Sequence, residues 1–160
     1  MSPTSPVCKL NIAPGVRMDG GATPYQPALH CRLARLVKDF DTETAGLCLD
    51  TGHLAYAGTD PVATLRSYGG RLDSIHFRDI DPVVFKQMMS ERIQVFDGCA
   101  RGVMSLVGKG AIDYAAVLTT LSELGYAGYI TIGQERDPGN LASMLDGLAA
   151  SRTFLSRIGL

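Results

Sequence analysis

Residues 47–56, LCLDTGHLAY, open as a buried strand and turn ionisable within a few positions. Leu47, Cys48 and Leu49 are apolar, Asp50 carries a carboxylate, and His53 follows three residues later. A carboxylate beside an apolar run needs a partner or water, because burying it bare costs several kcal/mol or more. The stretch is therefore predicted to leave the core at Asp50 and to reach the mouth of a site.

Outward from this stretch, apolar runs alternate with segments of helical spacing. CKLNI (8–12) is a strand candidate that stops at Pro14-Gly15, and a loose Gly- and Pro-rich stretch follows. Leu29, Leu33, Leu36, Val37 and Phe40 recur at helical spacing over 28–40. Residues 45–50 form the central strand; Thr59 or Asp60 then caps a helix with Pro61 in its first turn and Gly69-Gly70 as its stop. LDSIHF (72–77) is the next strand, and 82–101 carry one or two short helices broken at Gly98 and Gly102. VGKG (107–110) turns into a helix over 112–124, YITI (129–132) is the last strand, and a helix from about 141 to 157 closes the chain.

This alternation, with strands that read as apolar throughout, predicts a parallel sheet covered by helices. In such sheets the chemistry gathers at the C-terminal ends of the strands. Asp50 and His53 fall there after one strand, His76 on the next, and Glu135 just past the last. A carboxylate, two imidazoles and a second carboxylate on one rim suit a divalent metal with mixed oxygen and nitrogen ligands, Asp50 and His76 being the best pair. Taken singly, each has a plainer reading. Asp50 serves as well as a cap for the following turn. His53 alone reads as a loop histidine, His76 as a satisfied core histidine, and Glu135-Arg136-Asp137 as a solvated loop. The shared edge is what raises the set above its parts.

Composition narrows the classes. The 160 residues suffice for a single domain and are 46% hydrophobic and 19% charged, which reads as globular. Fifteen basic and sixteen acidic side chains give a net charge of −1 with no long single-sign run, so no nucleic-acid or anionic-membrane footprint exists. Cys8, Cys31, Cys48 and Cys99 are widely spaced and read as buried thiols rather than a disulfide framework. The N-terminus lacks a signal-peptide build, and no apolar run approaches the roughly 20 residues that span a bilayer, so a cytoplasmic location is expected. GKG (108–110) is too short for a P-loop, and neither a G-x-S-x-G nor a zincin motif occurs.

Four stretches together carry a resemblance: GLCLDTGHLAYAGTDPVATL, RLDSIHFRDID, GKGAIDYAAVLTTLSELGYAGYITIGQERDP and the C-terminal RTFLSRIGL. The chain resembles the xylose-isomerase-like TIM-barrel superfamily, in particular its sugar phosphate isomerase/epimerase and inosose dehydratase-like branch. The likeness covers about 45–158; residues 1–44 diverge. It implies an α/β fold, a partial (β/α)8 barrel of about four C-terminal units within one incomplete domain spanning 1–160. It also implies one divalent cation (manganese, cobalt, magnesium or zinc) and a small sugar or polyol as substrate. Asp50 and His76 match metal ligands, His53 a residue that meets substrate or metal, and Arg78 a basic residue near substrate. His53 or Glu135 would supply the catalytic acid–base group.

Two departures follow from the same resemblance. The family's last strand ends in a metal-binding Glu, and Gly133 stands at that position, with Glu135 matching only the second acid of the motif. A full barrel needs about 250 residues, so the other Glu ligand belongs to a half that these residues do not contain. Ala13 and Gly15 stand where upstream imidazoles are expected. The expectation is an isomerase, epimerase or dehydratase impaired as a single chain, with its cation in question. The alternative is a non-catalytic half-barrel or the remnant of a longer enzyme. Half a barrel leaves unpaired strand edges and an uncovered sheet face expected to be apolar, so a homo-oligomer or a complementary barrel half is the expected partner.

Overall fold

A computed structural model describes residues 10–12, 37–42, 45–134 and 142–160. Four strands, β1 (Leu10–Ile12), β2 (Ala45–Asp50), β3 (Leu72–Phe77) and β6 (Tyr129–Ile132), form one sheet in the order β1-β2-β3-β6. Every pairing in it is parallel. The helices between them are α1 (Thr51–Tyr56), α2 (Pro61–Tyr68), α3 (Pro82–Glu91), α4 (Val95–Ala100), α5 (Tyr114–Glu123) and α6 (Ala142–Arg157). A two-stranded antiparallel ladder, β4 (Asp79–Ile80) with β5 (Met104–Ser105), sits beside the main sheet. The parallel sheet with helices is what the alternating pattern predicts, and the α/β partial barrel is what the resemblance implies.

The two faces of the sheet differ. Leu47 and Leu49 of β2 and Ile75 and Phe77 of β3 share a buried cluster with Leu65 of α2, Val117 and Leu121 of α5, and Leu155 of α6. Ile130 and Ile132 of β6 pack against it. The opposite face carries Cys48 and Asp50, then Ser74 and His76, then Tyr129 and Thr131. The expectation of strands apolar throughout thus fails for β3 and β6, which alternate. Their helix side meets the buried apolar cluster, so that is the side that has to be hydrophobic. The expectation of an uncovered apolar face is corrected with it: that face is small and polar apart from Tyr129.

Most element bounds read from the sequence hold within two residues, including the three strands at 45–50, 72–77 and 129–132. Asp60 caps α2 through a 2.9 Å bond from the Val62 N–H, with Pro61 at its first position. Of the helix expected over 28–40, only 37–40 lie among the described residues; 37–39 are helical and Phe40 is a bend. Residues 8 and 9 of the first strand lie outside the description, as does Cys31. Two features were not anticipated: α1, and the β4–β5 ladder.

That ladder begins at a fully buried carboxylate, Asp79. One oxygen accepts from the N–H groups of Ile80 (2.9 Å) and Ile112 (3.0 Å), the other from Gly108 and Gly110, both at 3.0 Å. Four backbone donors around one carboxylate lock the 107–112 turn onto the end of the sheet. Gly110 is required there, since a Cβ would lie 2.3 Å from Asp79 Oδ1 and 2.4 Å from the Ile80 carbonyl. Asp79→Asn puts an amide N–H₂ against two N–H donors and should cost about 2–4 kcal/mol. Gly110→Ala should also destabilise the fold. Urea unfolding reads both; an unchanged midpoint for Asp79→Asn would show that the carboxylate locks nothing.

Candidate functional site

β2 and β3 are in register with Asp50 opposite His76, so both side chains emerge on the same face at the same strand edge. Asp50 closes β2 and caps α1 at once. Its Oδ1 accepts the His53 N–H at 2.9 Å, which fixes the first turn of the helix. His53 is therefore a helix residue rather than a loop histidine, and the cap reading of Asp50 is correct together with its place in the cluster.

The second oxygen faces the ionisable groups. Asp50 Oδ2 makes an ion pair with Arg78 Nη1 and lies 3.8 Å from His53 Nδ1 and 3.7 Å from His76 Nδ1. Arg78 Nη1 lies 3.5 Å from His53 Nε2, so the His53 tautomer that serves both neighbours carries its proton on Nδ1. His76 Nε2 meets Cys48 Sγ at 3.6 Å, and with its side chain 36% exposed it is not a sealed core histidine. Asp50, His53, His76 and Arg78 converge. Glu135, the remaining candidate, lies outside the described residues.

Behind this cluster runs a hydrogen-bond network that the sequence reading missed. The Arg78 N–H donates to Thr51 Oγ1 at 3.0 Å, Thr51 Oγ1 and Tyr114 Oη are 2.8 Å apart, and Tyr114 Oη donates to the Arg78 carbonyl at 2.7 Å. The ring thereby ties the starts of α1 and α5 to the backbone of Arg78. Tyr114 is buried against Phe77, with ring centroids 5.0 Å apart. Its only trace in the sequence is a tyrosine after the Asp113 cap, which reads as an ordinary core residue.

Gly133 lies just past β6, its N–H donating to the Phe77 carbonyl at 3.1 Å. A Cβ on Gly133 would sit 2.7 Å from Arg78 Nε and 3.1 Å from Cζ and Nη2. The guanidinium therefore occupies the space a side chain at 133 would need. A divalent cation needs several converging donors. Among the described residues no three His, Cys, Asp or Glu side chains are grouped to hold one. Asp50 Oδ2, one of the two expected ligands, already faces a guanidinium. As they stand, these residues do not fit a divalent metal.

A helix-backed parallel sheet with its ionisable residues at the C-terminal strand ends defines a barrel-type α/β protein. The family model for the xylose isomerase-like TIM barrel matches residues 27–157, and the chain belongs to that family. An inosose dehydratase from Clostridium botulinum (strain Eklund 17B) is 31% identical over 121 residues, 76% of this chain and 40% of the relative. One from Geobacillus kaustophilus is 33% identical over 104 residues, 65% of this chain and 34% of the relative. A xylose isomerase domain protein from Planctomyces limnophilus superposes with TM-score 0.64 at 27% identity, covering 85% of this chain and 44% of that one. The chain thus spans about two fifths of the length of the relatives it matches. Among the described residues no helix is long and apolar enough to cross a membrane.

Burial raises the Tyr114 pKa well above its ordinary value near 10, and the Thr51 hydroxyl offsets this only in part. The folded protein therefore keeps a proton that the unfolded chain releases. The associated stability is full below about pH 10 and falls as the pH rises beyond it. Tyr114→Phe should lose about 1 kcal/mol at neutral pH, since Thr51 still reaches the Arg78 carbonyl, and should unfold with a shallower alkaline slope. Urea titrations at neutral and alkaline pH check this; identical slopes for the two proteins would refute the burial argument.

Proposed function

We propose that this chain supplies the C-terminal units of a barrel acting on a keto-sugar or polyol, by isomerisation, epimerisation or dehydration. As a single chain it is impaired. The observation that carries this reading is the convergence of Asp50, His53, His76 and Arg78 at one strand edge of a xylose isomerase-like barrel. The names of the relatives, inosose dehydratase above all, support a carbonyl-bearing cyclic or open polyol as substrate.

The chemistry asks for two things: a base for the proton next to the carbonyl, and positive charge where the oxyanion develops. Arg78 is the cation at this rim, and its position is held from behind by Thr51 and Tyr114. His53 or Glu135 serves as the base. Returning the proton to the neighbouring carbon isomerises the substrate; returning it to the other face of the same carbon epimerises it; expelling a β-hydroxyl as water dehydrates it. No step here is routed through a metal.

The test is exchange of the substrate α-proton for deuterium, followed by NMR on an inosose or ketose in heavy water. Losing positioning partners commonly costs 10- to 100-fold, so exchange about 100-fold or more below that of a full-length relative is expected. Arg78→Met and His53→Ala should reduce it further. Turnover equal to that of a full-length relative would sink the impairment, and exchange indifferent to both substitutions would sink the site.

A second reading, a non-catalytic interaction module, draws on the sheet edge. Among the described residues β6 pairs on one side only, and Tyr129 on it is 88% exposed. An open edge is a template for another strand. We expect a dimer, or association with a complementary barrel half, in sedimentation at micromolar concentration. Charged substitution at Tyr129 should weaken the assembly; a stable monomer would contradict it.

A further inference from the structure

The ion pair at Asp50 and the crowding at Gly133 concern the same guanidinium. Asp50 ends β2, Arg78 follows β3 and Gly133 follows β6, three adjacent strands of one sheet. Arg78 lies two residues beyond His76, and Gly133 two beyond Thr131, which pairs with His76. Alternation therefore puts both on the face that also holds Asp50. The Arg78 side chain is mostly buried, and its partner Asp50 more so.

We infer that the Arg78 guanidinium is the resident cation of this site, admitted by Gly133 and standing where a divalent ion would otherwise be held. A buried carboxylate demands a counter-charge, which a divalent ion or a guanidinium supplies equally well in sign. The two cannot share Asp50 Oδ2. Nor can Arg78 keep this pose beside any side chain at 133, because the first added carbon already meets its Nε at 2.7 Å. Gly133 is thus more than a missing ligand: it is the vacated space that the arginine fills. The rim formed by the described residues is metal-independent, and ligand oxygens meet N–H donors there in place of a Lewis acid. This inference concerns the cation alone and stands or falls separately from the proposed sugar chemistry.

Manganese chloride is the probe. Calorimetry on the parent chain should show no saturable binding below about millimolar concentration, and added manganese should not selectively broaden the His53 and His76 ring signals. A chelator should leave the unfolding midpoint unchanged. Gly133→Glu alone should gain little, since the new carboxylate meets the arginine first. Arg78→Met with Gly133→Glu should bind manganese at least about 100-fold more tightly than either single variant, a strongly non-additive result. Stoichiometric micromolar binding by the parent would overturn the inference, as would equal affinity for Gly133→Glu and the double variant, or no gain in a folded double variant. Should the variants fail to fold, the parent's histidine spectra and chelator response decide alone.

Discussion

The Asp50 carboxylate is the point on which this rim depends. It is buried at the end of β2, and a charge there is tolerated only if both oxygens are served. The two are served by different parts of the chain. Oδ1 takes the His53 N–H and so starts α1; Oδ2 takes the guanidinium that follows β3. Capping of this kind contributes about 1 kcal/mol, whereas stripping the counter-charge from a buried carboxylate costs several. The electrostatic half therefore dominates. It also explains why so much structure is spent on Arg78, whose backbone is held by Thr51 and Tyr114 from two separate helices.

The same division of labour runs through the sheet. Leu47, Leu49, Ile75 and Phe77 face the helices and carry the burial that stabilises the fold, roughly 1.5–3 kcal/mol for each large side chain. The other side of those strands is left to chemistry, with Cys48 against His76 and Asp50 among its neighbours. A second buried carboxylate, Asp79, repeats the logic of Asp50 with backbone donors alone: four N–H groups stand in for a cation. One aspartate holds a turn and the other holds the Arg78 guanidinium. Asp50 ends β2, and Asp79 opens β4 two residues past the end of β3.

What the sequence made legible follows the physics of each feature. The strands at 45–50, 72–77 and 129–132 are stretches of strand length, at least half apolar, between turn signals, and their bounds are hard to misread. Asp60-Pro61 announces a helix start, and the structure places it there. α1 escaped because six residues hold less than two turns, too few for a periodicity to show. β4 and β5 are two residues each and carry no pattern at all. The alternation in β3 is hidden in the sequence because Ser74 and His76, its outward half, interrupt an otherwise apolar run at only two positions past Asp73. Asp79 escaped because its partners are backbone amides around Gly108 and Gly110, which no side-chain pattern records. At the rim, the sequence puts Asp50, His76 and Gly133 at strand ends, and the structure has all three at one edge of the sheet. Their relation through Arg78 is not legible, because the sequence shows that a carboxylate is absent at 133 and is silent on what fills its room.

That last relation changes what the rim is. Viewed as a metal site it is two ligands and two vacancies. Viewed as it stands it is a carboxylate, a fixed cation and two imidazoles within 4 Å of the same oxygen or of one another. A guanidinium presents directed N–H donors where a metal ion presents a point charge, so it selects planar oxygen acceptors, such as an enediolate or a carboxylate, over isolated hydroxyls. Shielded from bulk water, those donors act at a lower effective dielectric, where their hold on developing negative charge is stronger. They reach less far than a divalent charge, however, and cannot draw two vicinal oxygens into one coordination sphere. An arginine-centred rim can steady an oxyanion, but it orients a polyol less strictly than a metal would, which is the physical content of the impairment proposed above.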